Sequence, residues 1–218
     1  MQINLDHLVF ATDDLSRGEN LLAERLGITF AGGGKHERMG THNRVVRLQS
    51  GCYLELIAID PTAPAPSQAR WFDLDTPQLQ AQLKGFPKLV HWVVRTKQVP
   101  LDLTSFADEW KIALGKPTAM QRGSLQWEIT LPSDGKRPAG GALPYVIAWH
   151  SESVPPFSLP ESHLHLHALH ITTPNPPVVQ QALQGHLVDS PIELVFHTGE
   201  TRLQALVETP QGQKWLLG

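Results

Sequence analysis

Leu5-Asp6-His7-Leu8-Val9-Phe10-Ala11-Thr12 is the stretch on which the fold is read. It has the composition of a strand, with one histidine set among apolar residues. It recurs as Val90-His91-Trp92-Val93-Val94-Arg95-Thr96 and again as Leu166-His167-Ala168-Leu169-His170-Ile171-Thr172. In each of the three copies a threonine stands five positions after the first histidine, and mostly apolar residues lie between. Recurrence of one unit fixes the number of modules before any finer reading. The three strands are therefore taken as the first strands of three related units.

Outward from the first copy, alternation puts His7, Val9 and Ala11 on one face and Leu8, Phe10 and Thr12 on the other. Asp13 or Asp14 can cap a helix carrying Leu15, Leu22 and Leu26 on one stripe, and Gly27 suits its end. Ile28 to Ala31 reads as a short strand broken by a Gly32-Gly33-Gly34 loop. A polar run from Lys35 to Arg44 follows, then a hairpin of Val45 to Gln49 and Cys52 to Ile59. In its second strand Tyr53, Glu55 and Ile57 share a face, and a carboxylate there needs a partner or water.

The linker at 60–67 holds three prolines, and Trp71 and Phe72 after it read as apolar anchors. The second unit then repeats the order strand, helix and three strands, with its helix expected from about Asp102 to Leu114. A third does so beyond the proline-rich connector Val154 to Pro160. The expectation is an α+β chain of βαβββ modules. Modules 3–60 and 86–150 form a domain over 1–153, pairing into a curved, open-barrel mixed sheet, and a third module at 161–218 packs on it.

The 218 residues suffice for a sizeable core, and 41% apolar with 18% charged residues is a globular balance. A net charge of -3 gives no reason to expect nucleic acid or an anionic membrane as partner. The single cysteine, Cys52, excludes an internal disulfide framework and suits a reducing compartment. No basic stretch opens the chain and no apolar run spans a bilayer, so a cytoplasmic location is the expectation.

One inward histidine or glutamate per strand can aim at a shared cavity. Pairing of the first two units would bring His7, Glu55 and His91 onto one concave surface, a donor mix suited to a divalent metal. A lone histidine of this kind is more often a hydrogen-bonded core residue; three acid or imidazole groups at matched positions shift the balance. His36, Thr41, His42 and Asn43 could line the cavity mouth or form a solvated loop. Arg95, on the face of His91, could meet an anionic substrate group or pair with Glu55 or another acid, and Arg122 is a similar case. Trp92, Trp127 and Trp149 pack the core or wall a pocket. His163, His165 and His167 alternate on one face and could bind adventitious metal, though an exposed edge strand is the better reading.

The string Leu5 to Phe10, with Gly40-Thr41-His42-Asn43 and Tyr53-Leu54-Glu55-Leu56-Ile57-Ala58, resembles the glyoxalase-like branch of the vicinal oxygen chelate superfamily. The resemblance covers 3–150 well and the rest more weakly. It implies metal ligands on the first and fourth strands of each module, which fall on His7, Glu55 and His91. The fourth would fall on Ala148, where a carboxylate is expected, with His150 or Glu128 as nearby substitutes. It implies a small-molecule enzyme of lyase, isomerase or dioxygenase type. A divalent ion (Zn, Ni, Mn or Fe) would chelate two adjacent substrate oxygens there. The alternative is a metal-free protein of the same fold that binds or sequesters a small molecule. A homodimer is compatible with either.

Overall fold

The computed structural model of the chain describes residues 1–151, 154–188 and 191–218. The expected end of the first domain, residue 153, lies outside the described residues. Module one comprises β1 (Asn4–Ala11), α1 (Leu15–Leu26), β2 (Gly32–His36), β3 (Thr41–Leu48) and β4 (Cys52–Ile59). The linker adds a 3-10 turn at Trp71–Asp73 and α2 (Pro77–Gln82). Module two has β5 (Lys88–Thr96), α3 (Asp108–Leu114), β6 (Lys116–Arg122), β7 (Leu125–Leu131) and β8 (Tyr145–Trp149). After α4 (Pro155–Ser158) come β9 (His165–Thr173), α5 (Pro176–Leu183), β10 (Glu193–Thr198), β11 (Arg202–Glu208) and β12 (Lys214–Leu217).

The first two modules form one eight-stranded sheet in the order β2-β3-β4-β1-β5-β8-β7-β6. In each module the first strand runs parallel to the fourth, and β1 and β5 join the halves antiparallel. The sheet curls until its outer strands meet: Arg38 of the turn after β2 donates to the Ala119 carbonyl of β6 at 3.2 Å. As expected, α1 starts at Asp14, whose side chain accepts from the Arg17 N–H, and ends at a left-handed Gly27. α3 is shorter than the expected helix, because 102–107 is taken up by an Asp102–Thr104 turn and the buried Leu103 and Phe106.

The glycine run is not a loop. It is an edge strand paired with Asn43 to Val45, and Gly33 sits at φ 148 with its Cα so near the Asn43 carbonyl that a Cβ would stand 2.1 Å from the oxygen.

Two apolar layers sandwich the sheet. On the convex side Leu8, Phe10, Leu54, Trp92, Val94 and Val146 pack against Leu22 and Leu26 of α1 and against Leu169, Ile171, Ala205 and Val207. On the concave side Val9, Ile57, Val93, Ile129 and Ile147 meet Trp71 and Phe72. The C-terminal unit therefore shares the convex core. It keeps the order βαβββ but not the pairing: its sheet is β10-β9-β11-β12, with β9 an inner strand parallel to β10. His167 thus has no positional equivalence to His7 or His91, and it bonds Glu208 at 2.8 Å away from the concave surface.

Candidate functional site

A β-bulge builds the site. Between Leu5 and His7 the register of β1 against β5 slips by one residue, from Leu5↔Val94 to His7↔Val93. The extra residue, Asp6, breaks alternation, so Asp6 and its neighbour His7 contact one another through their side chains. Asp6 Oδ1 lies 2.7 Å from His7 Nδ1, and the carboxylate is fully buried. Its other oxygen accepts from Trp149 Nε1 at 3.1 Å and stands 3.6 Å from the Arg95 guanidinium. A carboxylate accepting at Nδ1 fixes the ring so that Nε2 carries the chemistry. That nitrogen lies 3.6 Å from Glu55 Oε2, and Tyr53 stacks on the imidazole at 4.5 Å.

Glu55 is held in turn. Asn43 Nδ2 donates to Glu55 Oε1 at 2.5 Å, while Asn43 Oδ1 accepts from the Gly34 N–H and from Arg122 Nη1, both at 2.9 Å. The same Arg122 nitrogen is 3.3 Å from His36 Nε2, and His36 Nδ1 is 3.1 Å from Thr41 Oγ1. Burial, with the nearby Arg122 charge, lowers the His36 pKa to about 3. His36 is therefore neutral and accepts from Arg122 through Nε2. Arg122 reaches the network from β6 at the far edge of the sheet, across Gly34, where a Cβ would come 3.0 Å from its Cδ. Burial, helped by Asp6 and Glu55, raises the Tyr53 pKa well above its usual value and keeps the phenol protonated.

These groups surround a small cavity with a free volume of about 30 Å³, room for one or two waters. Its wall includes His7, His36, Asn43, Glu55, Arg122, Trp127 and Trp149. Trp71 and Phe72 close it from the linker. Of the residues singled out in the sequence, Thr41 supports this group from behind His36. His42 alternates to the opposite face of β3 and is half-buried. Arg95 pairs with an acid other than Glu55, Asp6 at 3.6 Å; it also donates to the Leu5 and Gly51 carbonyls, both at 3.0 Å, and lies over the Phe157 ring.

His91 is fully buried but does not line the cavity. β5 carries a bulge matching that of β1, at Val90, since the register passes from Val9↔His91 to Phe10↔Leu89. Val90 thus takes the place of Asp6, and no carboxylate meets the His91 ring. Its Nδ1 is buried without a partner among the described residues, and Nε2 accepts from the Tyr145 N–H at 3.1 Å. The partner strand differs likewise. Glu55 pairs with Val9, two residues after His7; Val93, two residues after His91, pairs with Tyr145. The fourth position is therefore Tyr145, not Ala148, which is fully buried in the convex core. The substitutes also point elsewhere: Glu128 and His150 bond one another at 3.2 Å, and Glu128 accepts from the Leu101 N–H.

A resident divalent metal needs three or more donors at about 2.0–2.2 Å from one point. His7 Nε2 and Glu55 Oε2 face each other as two. His91 spends its Nε2 on a backbone N–H, and among the described residues no three His, Cys, Asp or Glu side chains stand together as a metal site. The donor set does not fit a closed, fully liganded ion.

Residues 5–187 match the glyoxalase-like domain family, which covers most of the chain. The chain belongs to this glyoxalase-like family of the vicinal oxygen chelate superfamily. No curated protein matches it in sequence. A hypothetical protein from Staphylococcus aureus is similar in structure, with a TM-score of 0.60 and 15% identity over 97% of this chain and 92% of that one. This likeness is of fold, and it takes in the C-terminal sheet. Two methylmalonyl-CoA epimerases are also similar. The one from Streptomyces coelicolor, in complex with 2-nitronate-propionyl-CoA, has a TM-score of 0.43 and 16% identity over 71% of this chain and 98% of its own. The one from Mycobacterium tuberculosis has 0.40 and 18% over 66% and 85%.

Asp6, Tyr53, Trp71, Phe72 and Tyr145 were not singled out as site residues from the sequence. Strict alternation turns Asp6 away from His7, and no pattern announces a bulge. Trp71-Phe72 carried the one available signal, two large aromatics beside a proline-rich linker.

Proposed function

We propose that the chain is a small-molecule enzyme that moves a proton at a carbon next to a carbonyl group, with His7 and Glu55 as the proton-handling pair. The observation that carries this reading is the Asp6–His7–Glu55 alignment: a buried carboxylate on Nδ1, and Nε2 facing a second carboxylate across 3.6 Å. One member of the pair takes the proton from carbon while the C–H electron pair moves onto the carbonyl oxygen, giving an enolate. Return of a proton to carbon from the other member completes an isomerisation; loss of a β-substituent completes an elimination. Asp6 stabilises the imidazolium that forms when His7 holds the proton, as a positioned carboxylate does in other acid–base pairs. Asn43 holds Glu55 in reach through Oε1 and leaves Oε2 for the proton.

The metal reading has one observation in its favour, the facing His7 and Glu55 donors. In it an ion such as Zn, Ni, Mn or Fe would polarise the same carbonyl. His91 could serve as third ligand only by releasing the Tyr145 N–H.

Hydrogen exchange separates the readings. Small ketones, 2-oxo acids and thioesters are incubated with protein in D2O, and loss of the α-proton signal is followed by NMR. The expected result is exchange that survives chelator treatment and falls by a factor of about 10²–10⁴ in His7→Asn. Exchange that needs an added divalent ion would establish the metal reading. Binding without exchange of any compound would establish the sequestration protein.

A further inference from the structure

We infer that the substrate carries a carboxylate, and that Arg122 and the indole N–H of Trp71 are its anchor. The inference rests on the cavity being the functional site. Its first support is a guanidinium without a carboxylate partner. Arg95 stands 3.6 Å from the Asp6 carboxylate. Arg122 has no such counterpart among the described residues. Its hydrogen bonds run through Nη1 to Asn43 Oδ1 and His36 Nε2, both neutral acceptors, and none of the ion pairs among the described residues includes it. A half-buried guanidinium that lines a cavity and bonds only neutral acceptors keeps the rest of its donor fork for an anion, and a carboxylate matches that fork.

The second support is independent of charge. Trp71 is only 3% exposed, lies on the cavity wall, and its Nε1 has no hydrogen-bond partner among the described residues. Buried indole N–H groups ordinarily find an acceptor. The ring is fixed by His36 edge-on at 5.0 Å and by Phe72 stacked at 5.4 Å, so the indole is held at the wall. An oxygen that accepts from Trp71 satisfies it, and a carboxylate can accept from Trp71 and Arg122 together.

The free volume of about 30 Å³ is too small for such a substrate, so the linker must yield. Phe72 and Asp73, which bring Trp71 to the wall, both hold left-handed backbone at φ 62 and 60, unusual for residues with a Cβ. Asp73 is tied to Arg137 at 2.7 Å.

The test uses the full chain and matched probes: formate, acetate and pyruvate against formamide, acetamide and pyruvamide. Binding is read from indole N–H cross-peaks, with Trp71→Phe identifying the Trp71 signal, and from titration calorimetry. Carboxylates are expected to bind and shift the Trp71 signal, the amides at least tenfold more weakly. Arg122→Gln is expected to lose about tenfold or more in carboxylate affinity and Arg122→Lys less, with unchanged thermal unfolding as the check on folding. His7→Asn is expected to keep carboxylate binding while losing α-proton exchange. Amides binding as well as carboxylates, Arg122→Gln binding like the natural protein, or no carboxylate binding at all would each overturn the anchor. Carboxylate binding without exchange in the natural protein would sink the proton-transfer reading and leave the anchor standing.

Discussion

Asp6 and Val90 show how one residue separates a histidine braced by a carboxylate from one that is not. Both occupy the bulge before the histidine, but only Asp6 offers a carboxylate to Nδ1. Asp6→Asn keeps the shape and an acceptor oxygen while removing the charge that stabilises an imidazolium. The expected outcome is an α-proton exchange rate lower by about a hundredfold or more, with thermal stability still measurable. His36 supplies a pH prediction. Its pKa in the fold is lowered to about 3 from the ordinary 6.5, chiefly by burial. The unfolded chain therefore takes up a proton near pH 6.5 that the folded chain refuses. The stabilisation is complete above pH 6.5 and is lost as pH falls towards 3, by at most about 1.4 kcal/mol per pH unit for this group. His91, lowered well below its usual value by burial, acts in the same direction. Urea unfolding at stepped pH should show a shallower slope over this window for His36→Gln; an identical slope would mean that His36 is already protonated in the fold.

Among the elements, register decides which residue faces the cavity. The alternation of β4 put Glu55 inward from the sequence alone, because Cys52 to Ile59 contains no irregularity. β8 is only five residues long, and nothing within Tyr145 to Trp149 fixes which of them pairs with Val93. The fourth position was therefore misplaced from Tyr145 to Ala148. Ala148→Asp tests the correction: it should bury an unpaired carboxylate in the convex core and cost about 3–5 kcal/mol, without creating a metal site. Stoichiometric metal binding by a stable Ala148→Asp protein would contradict the register. The glycine strand was misread for a related reason, since three glycines carry no side-chain alternation to read. Gly33→Ala should destabilise by more than about 2 kcal/mol, because its Cβ would meet the Asn43 carbonyl at 2.1 Å. A Gly33→Ala protein as stable as the natural one would argue against this pairing of β2 with β3.

For the whole molecule, the modular reading was legible because the histidine strands repeat, and the pairing of the first two modules follows from them. The third unit repeats the order of elements but not their pairing, and element order alone does not specify which strands neighbour which. Its Leu169, Ile171, Ala205 and Val207 lie in the same convex cluster as Trp92 and Val94. The Ile3 N–H donates to the His186 carbonyl, and the Gln49 N–H to that of Leu164. A shared core of this kind should unfold as one cooperative transition by calorimetry, and a chain ending before residue 161 should expose Trp92 and aggregate. Two separate transitions would show the C-terminal sheet to be an independent domain. No helix among the described residues is long and apolar enough to cross a membrane.

His7 is placed by a bulge, oriented by Asp6 and set opposite Glu55 in a cavity closed by the linker. The most direct test is α-proton exchange into small carbonyl compounds in D2O by chelator-treated protein, run beside His7→Asn. Exchange by the natural chain, lost in the variant, is the result this arrangement predicts. Exchange that persists undiminished in His7→Asn, or that appears only with an added divalent ion, would contradict it.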